Sequence, residues 1–416
     1  MPGSGSSPSQ ALVSESNRSR ILSHLYRYGA SSRAKIAKIL HLTPAAITKI
    51  TAHLIDEGLV EESGPAKHGT SRGGKSIDLR LNKAAFHVIG VKFARSLVQI
   101  GVFDLSGARI SLMDLPTVDE TKIQDTIRAI HSTIEGLLNE DRTIVAIGMA
   151  VPGPYLRTVG RTAVVSSMQE WRKINFRREF EQSFSVPVFI EQDARAGVLA
   201  EHLFGDNLDC ENMAYYLLGE GIGLGVLEAG QLVNGALGVA SELGHVSIDI
   251  NGLPCDCGNR GCLELYCSAV AIHRDAIEEG IIAGAESMTH RQVCSALFEQ
   301  ADKGDPKAVK EIEKAGRYLG YGCVTIINTF NPERIVLGDI ISAAGKPLLR
   351  AVQDVVDERV VPELNDSTSI VLSSLPTDAI VSGAAAVAIT QFLAQPTLFG
   401  HLARTRAGTG PSDGPT

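Results

Sequence analysis

Apolar positions recur at helical spacing through the first sixty residues and then give way to short strand-like runs. Ile21, Leu22, Leu25 and Tyr28 mark one face of a helix over residues 17–28, and Gly29 closes it. Ser32 is placed to cap a second helix over residues 33–40, with Ile36, Ala37 and Leu40 inward. His41 and Leu42 make a turn. Thr43 then caps a third helix, with Pro44 at its first position, where a missing N–H costs nothing. Ile47, Ile50, Leu54 and Ile55 form the inward stripe of that helix, and Gly58 ends it. Residues 59–62 and 76–81 read as two strands around a loop, 64–75, that carries Lys67, Arg72 and Lys75. Three helices followed by strand, loop and strand predict a winged helix-turn-helix over residues 17–83.

Beyond residue 84 the pattern alternates. Strands are expected at 88–93, 97–103 and 108–115, a helix at 119–139, strands at 144–151 and 186–191, and a helix at 194–204. A second set begins with strands 213–218 and 223–228. Long helices follow, then strand 334–337, a helix near 345–359, strand 369–372 and a last helix from 378. Two successive blocks of strand meander plus α/β predict two lobes with a cleft between them. The uncharged run 379–400 contains Ser382, Thr390, Gln391, Gln395 and Pro396, so it reads as a buried helix and a tail rather than a membrane span.

Charge sharpens this division. Residues 1–83 carry 12 Lys+Arg and 6 Asp+Glu, a net of +6, whereas the remaining 333 residues carry 27 against 41, a net of −14. A small basic module on a large acidic body suits one that approaches phosphate while the body is repelled from it. The outward face of the third helix shows Ala45, Ala46, Thr48, Lys49, Ala52 and His53. Small residues there let the helix lie close to base edges, and Thr48 and Lys49 reach bases or phosphates. Arg72, among glycines, suits a narrow A/T-rich minor groove. With Arg33, Thr43 and Lys75 these form the expected DNA contacts; the alternative is a three-helix protein-interaction module.

Seven cysteines, three of them within residues 255–262, combine with a polar start, MPGSGSSPSQ, that reads as no secretory signal. A metal site in a reducing cytoplasm is the expectation, rather than a disulfide framework. His245, Cys255, Cys257 and Cys262 supply one imidazole and three thiolates, the four ligands of a tetrahedral Zn²⁺. Four protein ligands leave no open position, so the zinc is expected to be structural. Cys210, Cys267, Cys294 and Cys323 lack such spacing and read as small buried hydrophobes.

On Glu242-Leu-Gly-His245, Cys255-Asp-Cys257-Gly and Gly261-Cys262-Leu-Glu264 the chain resembles the ROK family (repressor, open reading frame, kinase), of the sugar kinase–Hsp70–actin fold, over about residues 17–395. The resemblance implies an α/β fold, a winged helix-turn-helix followed by a two-lobed actin-like body. It assigns zinc to the histidine and three cysteines, and a sugar to Glu242, His245 and Glu264. The kinases' Glu-Asn-Asp-Ala-Asn segment corresponds to Glu191-Gln192-Asp193-Ala194-Arg195, which adds Gln192 and Asp193 as sugar contacts. Asp193 is the position of the kinases' catalytic base. Trp171 is placed near the cleft mouth and is expected to serve packing more than stacking on sugar.

The nucleotide loops depart from the kinases. Gly90-Val-Lys92-Phe93-Ala94-Arg95-Ser96 stands where they have Asp-x-Gly-Gly-Thr. Lys92 replaces the acid that helps hold Mg²⁺, and Phe93 and Ala94 are expected to block phosphate. In the second loop, residues 219–225, Glu220 replaces a Thr. Leu337-Gly338-Asp339 stands where a Gly-Gly pair is usual. The resemblance therefore implies no catalysis. It implies a repressor of carbohydrate genes that binds an A/T-rich operator as a homodimer or homotetramer and responds to a sugar or sugar phosphate, with no membrane partner. An active hexose kinase with an appended DNA-binding domain is the alternative. The expected organisation is a disordered 1–16, the DNA module 17–83, lobe 1 at 84–205, lobe 2 at 206–378, a C-terminal helix at 378–395 and a flexible tail at 396–416.

Overall fold

The computed structural model describes residues 10–65, 77–94, 97–116, 118, 120–163, 170–206, 209–375 and 378–396. The chain opens with α1 (Gln10–Tyr28), which starts ahead of the expected residue 17. A two-residue strand β1 (Ser31–Ser32) leads into α2 (Arg33–Leu40) and α3 (Pro44–Asp56). Strands β2 (Val60–Pro65) and β3 (Ile77–Leu81) complete a three-stranded sheet in the order β1-β3-β2. The caps are as the sequence suggests. Ser32 Oγ accepts from Lys35 N at 3.2 Å, and Thr43 Oγ1 accepts from Ala46 N at 3.2 Å. His41 takes the left-handed conformation at φ 55° to end α2. One expectation fails: Tyr28 is 58% exposed, and Tyr26, at 4%, takes the buried place. The Lys83 ammonium lies 4.1 Å from the centre of the Tyr26 ring and covers it.

The body repeats one sheet topology twice. Its first half comprises β4 (His87–Phe93), β5 (Val98–Asp104), β6 (Arg109–Asp114), α4 (Ile123–Glu140) and β7 (Ile144–Val151). A small hairpin of β8 (Tyr155–Leu156) and β9 (Arg161–Thr162) follows, then α5 (Phe176–Phe180), β10 (Val188–Gln192) and α6 (Asp193–Phe204). The sheet runs β10-β7-β4-β5-β6, with β4 to β6 antiparallel and β7 and β10 parallel to β4.

The second half comprises β11 (Met213–Leu218), β12 (Ile222–Glu228), β13 (Gln231–Leu232), α7 (Glu264–Cys267), α8 (Ala269–Glu278), α9 (His290–Asp302) and α10 (Pro306–Phe330). It ends with β14 (Arg334–Gly338), α11 (Lys346–Arg359), α12 (Pro362–Asn365), β15 (Ser369–Leu372) and α13 (Ala379–Ala394). Its sheet, β13-β12-β11-β14-β15, has the same meander and the same two parallel additions.

Helices α6 and α13 fill the seam between the two sheets, and glycines set how close they come. A Cβ on Gly148 of β7 would lie 1.7 Å from Ala384 O, and one on Gly225 of β12 would lie 2.2 Å from Ala194 O. The run read as a buried helix is indeed α13, and among the described residues no helix is long and apolar enough to cross a membrane. One continuous apolar cluster joins Ile21, Leu22, Leu25 and Leu79 of the N-terminal module to Val88 and Phe103 of the first sheet and to Phe392 of α13. The N-terminal module and the first lobe therefore share a core.

Candidate functional site

The metal-ligand candidates meet in one loop. His245 ends a short 3₁₀ turn, Leu243–His245, and the chain returns through bridges Ser247↔Cys262 and Pro254↔Arg260. The four ligand atoms of His245, Cys255, Cys257 and Cys262 lie within 4.8 Å of one another. Cys255 Sγ is 3.8 Å from His245 Nδ1, and Cys257 Sγ is 3.7 Å from Cys262 Sγ. Tetrahedral bonds of about 2.3 Å to an ion place two sulfurs roughly 3.8 Å apart, so the cluster has the dimensions of a metal site. Burial, chiefly, holds the Cys255 and Cys262 thiols above their ordinary range, and a cation among them would favour their thiolates. Gly261, at φ 66°, packs so closely that a Cβ would lie 1.8 Å from Asp249 O. The other four cysteines are all buried.

Beside this loop lies the cleft constellation. Gln192 is the last residue of β10 and Asp193 the first of α6. Gln192 Nε2 donates to Glu242 Oε1 at 3.2 Å. Gln192 is only 4% exposed, and among the described residues its Oε1 has no hydrogen-bond partner. Glu264 Oε1 lies 3.5 Å from His245 Nδ1, at the border of metal loop and cleft. Burial pushes Asp193 up to about 7 and Glu242 up to about 8, the latter with help from the Asp193 charge. Behind them Glu191 is fixed by Arg195 at 2.8 Å and by Arg157 at 2.8 Å. The structure thus brings Gln192, Asp193, Glu242, His245 and Glu264 into one neighbourhood with acceptors, a donor and an imidazole.

The adjoining phosphate region differs from expectation in its cause. The Phe93 ring is not an obstruction: it is turned into the first lobe's core, with ring centres 5.5 Å from Trp171 and 5.3 Å from Phe176. Trp171, 1% exposed, is core as well. The region is filled instead by charges that sequence reading did not pair. Lys92 Nζ donates to Asp378 Oδ2 at 2.7 Å, and Arg291 Nη2 lies 3.3 Å from Asp339 Oδ1. The Asp339 backbone sits at φ 75° and ψ −159°, a region that costs a non-glycine residue about 1–3 kcal/mol. A side chain at a glycine's backbone conformation results, and its Oδ2 lies 2.5 Å from where a Cβ on Gly219 would be. The signals for this cluster were Lys92 and Asp339 themselves; Asp378 carried none beyond its place before a helix.

On the N-terminal module, Ala45, Thr48, Lys49 and His53 are exposed and Ala46 half-buried along α3, with Thr43 exposed at its cap. Arg33 is otherwise employed: its Nε donates to Thr51 Oγ1 at 3.2 Å and its Nη2 to Glu62 Oε1 at 3.0 Å, so it ties α2, α3 and β2 together. Arg72 and Lys75 lie outside the described residues. Sequence reading missed Arg27. From the end of α1 its Nη1 reaches Glu211 Oε1 at 2.9 Å, and its Nη2 lies 3.3 Å from His202 Nε2 on α6. It links the reading module to the segment between the lobes.

The profile described as "ROK family" matches residues 88–391, and that described as "MarR family" matches residues 15–63. The chain is 30% identical over 389 residues to a xylose repressor of Bacillus spizizenii, spanning 92% of this chain and 97% of that protein. It is 31% identical over 376 residues to the DNA-binding transcriptional dual regulator NagC of Escherichia coli, spanning 88% and 90%. Among solved structures, a ROK family transcriptional regulator described as a homologue of the E. coli MLC protein superimposes with a TM-score of 0.77 at 29% identity, covering 94% of this chain and 99% of that one. A ROK family glucokinase from Streptomyces griseus, solved with glucose and AMPPNP, superimposes with a TM-score of 0.64 at 25% identity, covering 73% and 99%.

Proposed function

The chain belongs to the ROK family, and on that premise we propose that it is a sugar-responsive, DNA-binding transcriptional repressor without kinase activity. The observation that carries this is structural. A helix-turn-helix with an open reading face shares its apolar core with one lobe of a body whose cleft holds the sugar constellation. The proposed DNA-reading unit ends near residue 83, and the ligand body runs from there to about 395.

α3 enters the major groove, where Ala45 and Ala46 permit close approach and Thr48, Lys49 and His53 contact bases and phosphates. The segment with Arg72 and Lys75 reaches an A/T-rich minor groove. A homodimer or homotetramer sets the spacing of half-sites. Sugar hydroxyls donate to Glu242, Glu264 and Asp193, and Gln192 Oε1 supplies a further acceptor. The ion is zinc, held by His245, Cys255, Cys257 and Cys262, and it stiffens the loop that presents Glu242 and Glu264. Because His245 turns Nδ1 toward the thiols, its Nε2 is left for the ligand.

Coupling follows from the shared core. Sugar pulls the second lobe toward the first, and Arg27 carries the movement of Glu211 and α6 to α1. To release DNA the sugar must bind the DNA-free arrangement better, and DNA must then weaken sugar by the same factor.

Capture of fragmented genomic DNA by the purified protein, followed by sequencing, tests the reading. Enrichment of a few A/T-rich sites beside carbohydrate genes, lost on adding the cognate sugar, is expected. Only salt-sensitive background, together with hexose-dependent ATP consumption, would favour the kinase instead.

A further inference from the structure

We propose that the cleft takes an uncharged sugar and rejects its terminal phosphate ester, because the space where a phosphoryl group would project is filled by a mutually satisfied cluster of side-chain charges. The inference rests on the sugar-binding reading above and narrows its ligand to one chemical class.

Asp193 is the joint between the two regions. On one side it acts on Glu242 of the sugar constellation. On the other it feels Asp339 and Lys92. Any group extending past Asp193 toward the loop at Gly219 therefore enters the neighbourhood of Lys92, Asp339, Asp378 and Arg291.

Among the described residues, both cations of that neighbourhood are paired, one buried and one at the surface. Lys92 is 4% exposed, and its ammonium is bonded to Asp378 at 2.7 Å. Arg291 is paired with Asp339 at 3.3 Å. Asp193 adds a third carboxyl group beside these two pairs. Burial and neighbouring acids push Asp193 and Asp339 upward, the response of carboxyls that already lack compensation. A phosphate dianion would face the Asp339 and Asp378 carboxylates, and to take the Lys92 ammonium as donor it would have to break a buried ion pair.

The backbone at Gly219 is also occupied. Phosphate loops bind through exposed N–H groups beside glycines. At Gly219 the space over the backbone is occupied by the Asp339 carboxylate, and Gly219 N donates to Gly221 O at 3.0 Å. An uncharged sugar needs none of these groups, since its hydroxyls are met by Gln192, Glu242 and Glu264.

The test is calorimetric titration of the full-length protein with D-glucose, N-acetyl-D-glucosamine and D-mannose, each beside its 6-phosphate, which keeps the same pyranose ring. At least one free sugar is expected to bind, with its ester at least tenfold weaker. Asp339→Asn, which removes one carboxylate from the cluster, is expected to narrow that ratio by severalfold. An ester that binds wild-type protein as tightly as its parent sugar overturns the inference and leaves the sugar-responsive reading standing. Failure of all six compounds to bind removes the reading and the inference together.

Discussion

The reading helix and the ligand cleft present functional groups by opposite means. Along α3 the candidate contacts other than half-buried Ala46 are exposed, and each owes its position to a helix held from behind by Ile47, Ile50 and Leu54. In the cleft Gln192 is buried, Asp193, Glu242, His245 and Glu264 are half-buried, and the groups are held by one another, as Gln192 is by Glu242. DNA is a large surface that comes to the protein, so side chains on a firm helix suffice. A sugar is small and surrounded by water, so its site must exclude water and still keep acceptors. That demand leaves Gln192 Oε1 without a partner among the described residues and pushes Asp193 and Glu242 upward.

This contrast predicts unequal consequences of mutation. The cleft depends on its shell, so the largest effect is expected there. Cys257→Ser should abolish the bound ion, measured by elemental analysis, and weaken sugar binding at least tenfold. Unchanged sugar affinity in metal-free protein would separate the ion from the ligand. Asp378→Ala leaves the Lys92 ammonium buried without its partner and should destabilise the fold by about 3–5 kcal/mol in denaturant titration.

On the reading helix, Lys49→Ala should cost about 1–3 kcal/mol of operator affinity without altering sugar binding or stability. A parallel loss of stability would mean that Lys49 is structural. Arg27→Ala joins the two regions: operator affinity should hold while the factor by which sugar weakens it shrinks severalfold, in a gel-shift titration with and without sugar.

The smallest effect concerns pH. Asp193 and Glu242, at about 7 and about 8, stand above their unfolded values near 4. The folded state therefore binds more protons than the unfolded one between about pH 4 and pH 8, and these groups make stability fall as pH rises through that window. Melting without sugar should show a decline from pH 5 to pH 8 that is shallower in Glu242→Gln. An identical slope in the variant would remove Glu242 from this account.

Local signals were legible in the chain, and distant ones were not. The caps Ser32 and Thr43 and the exposed face of α3 follow from helical spacing within a few residues. The metal cluster was legible because its ligands lie between residues 245 and 262 and their chemistry is distinctive. The two-lobed body followed from repeated strand patterning and from the family resemblance. In contrast, Lys92 and Asp378 are 286 residues apart, and Arg27 and Glu211 are 184 apart, so only the closed fold makes them pairs. Tyr26 and Tyr28 exchanged places because Lys83 and the body cover one side of α1, a surface that periodicity within the helix does not contain. Phe93 was read as an obstacle because the loop was considered without the aromatic core behind it.

The central claim is that one sugar site and one DNA-reading face exclude each other through a shared core. The most direct measurement is the affinity of the cognate sugar for the free protein and for the protein saturated with its operator, by calorimetry at one salt concentration. The account predicts weaker binding to the operator complex, by the same factor with which that sugar lowers operator affinity. Equal sugar affinity in the two states would contradict it.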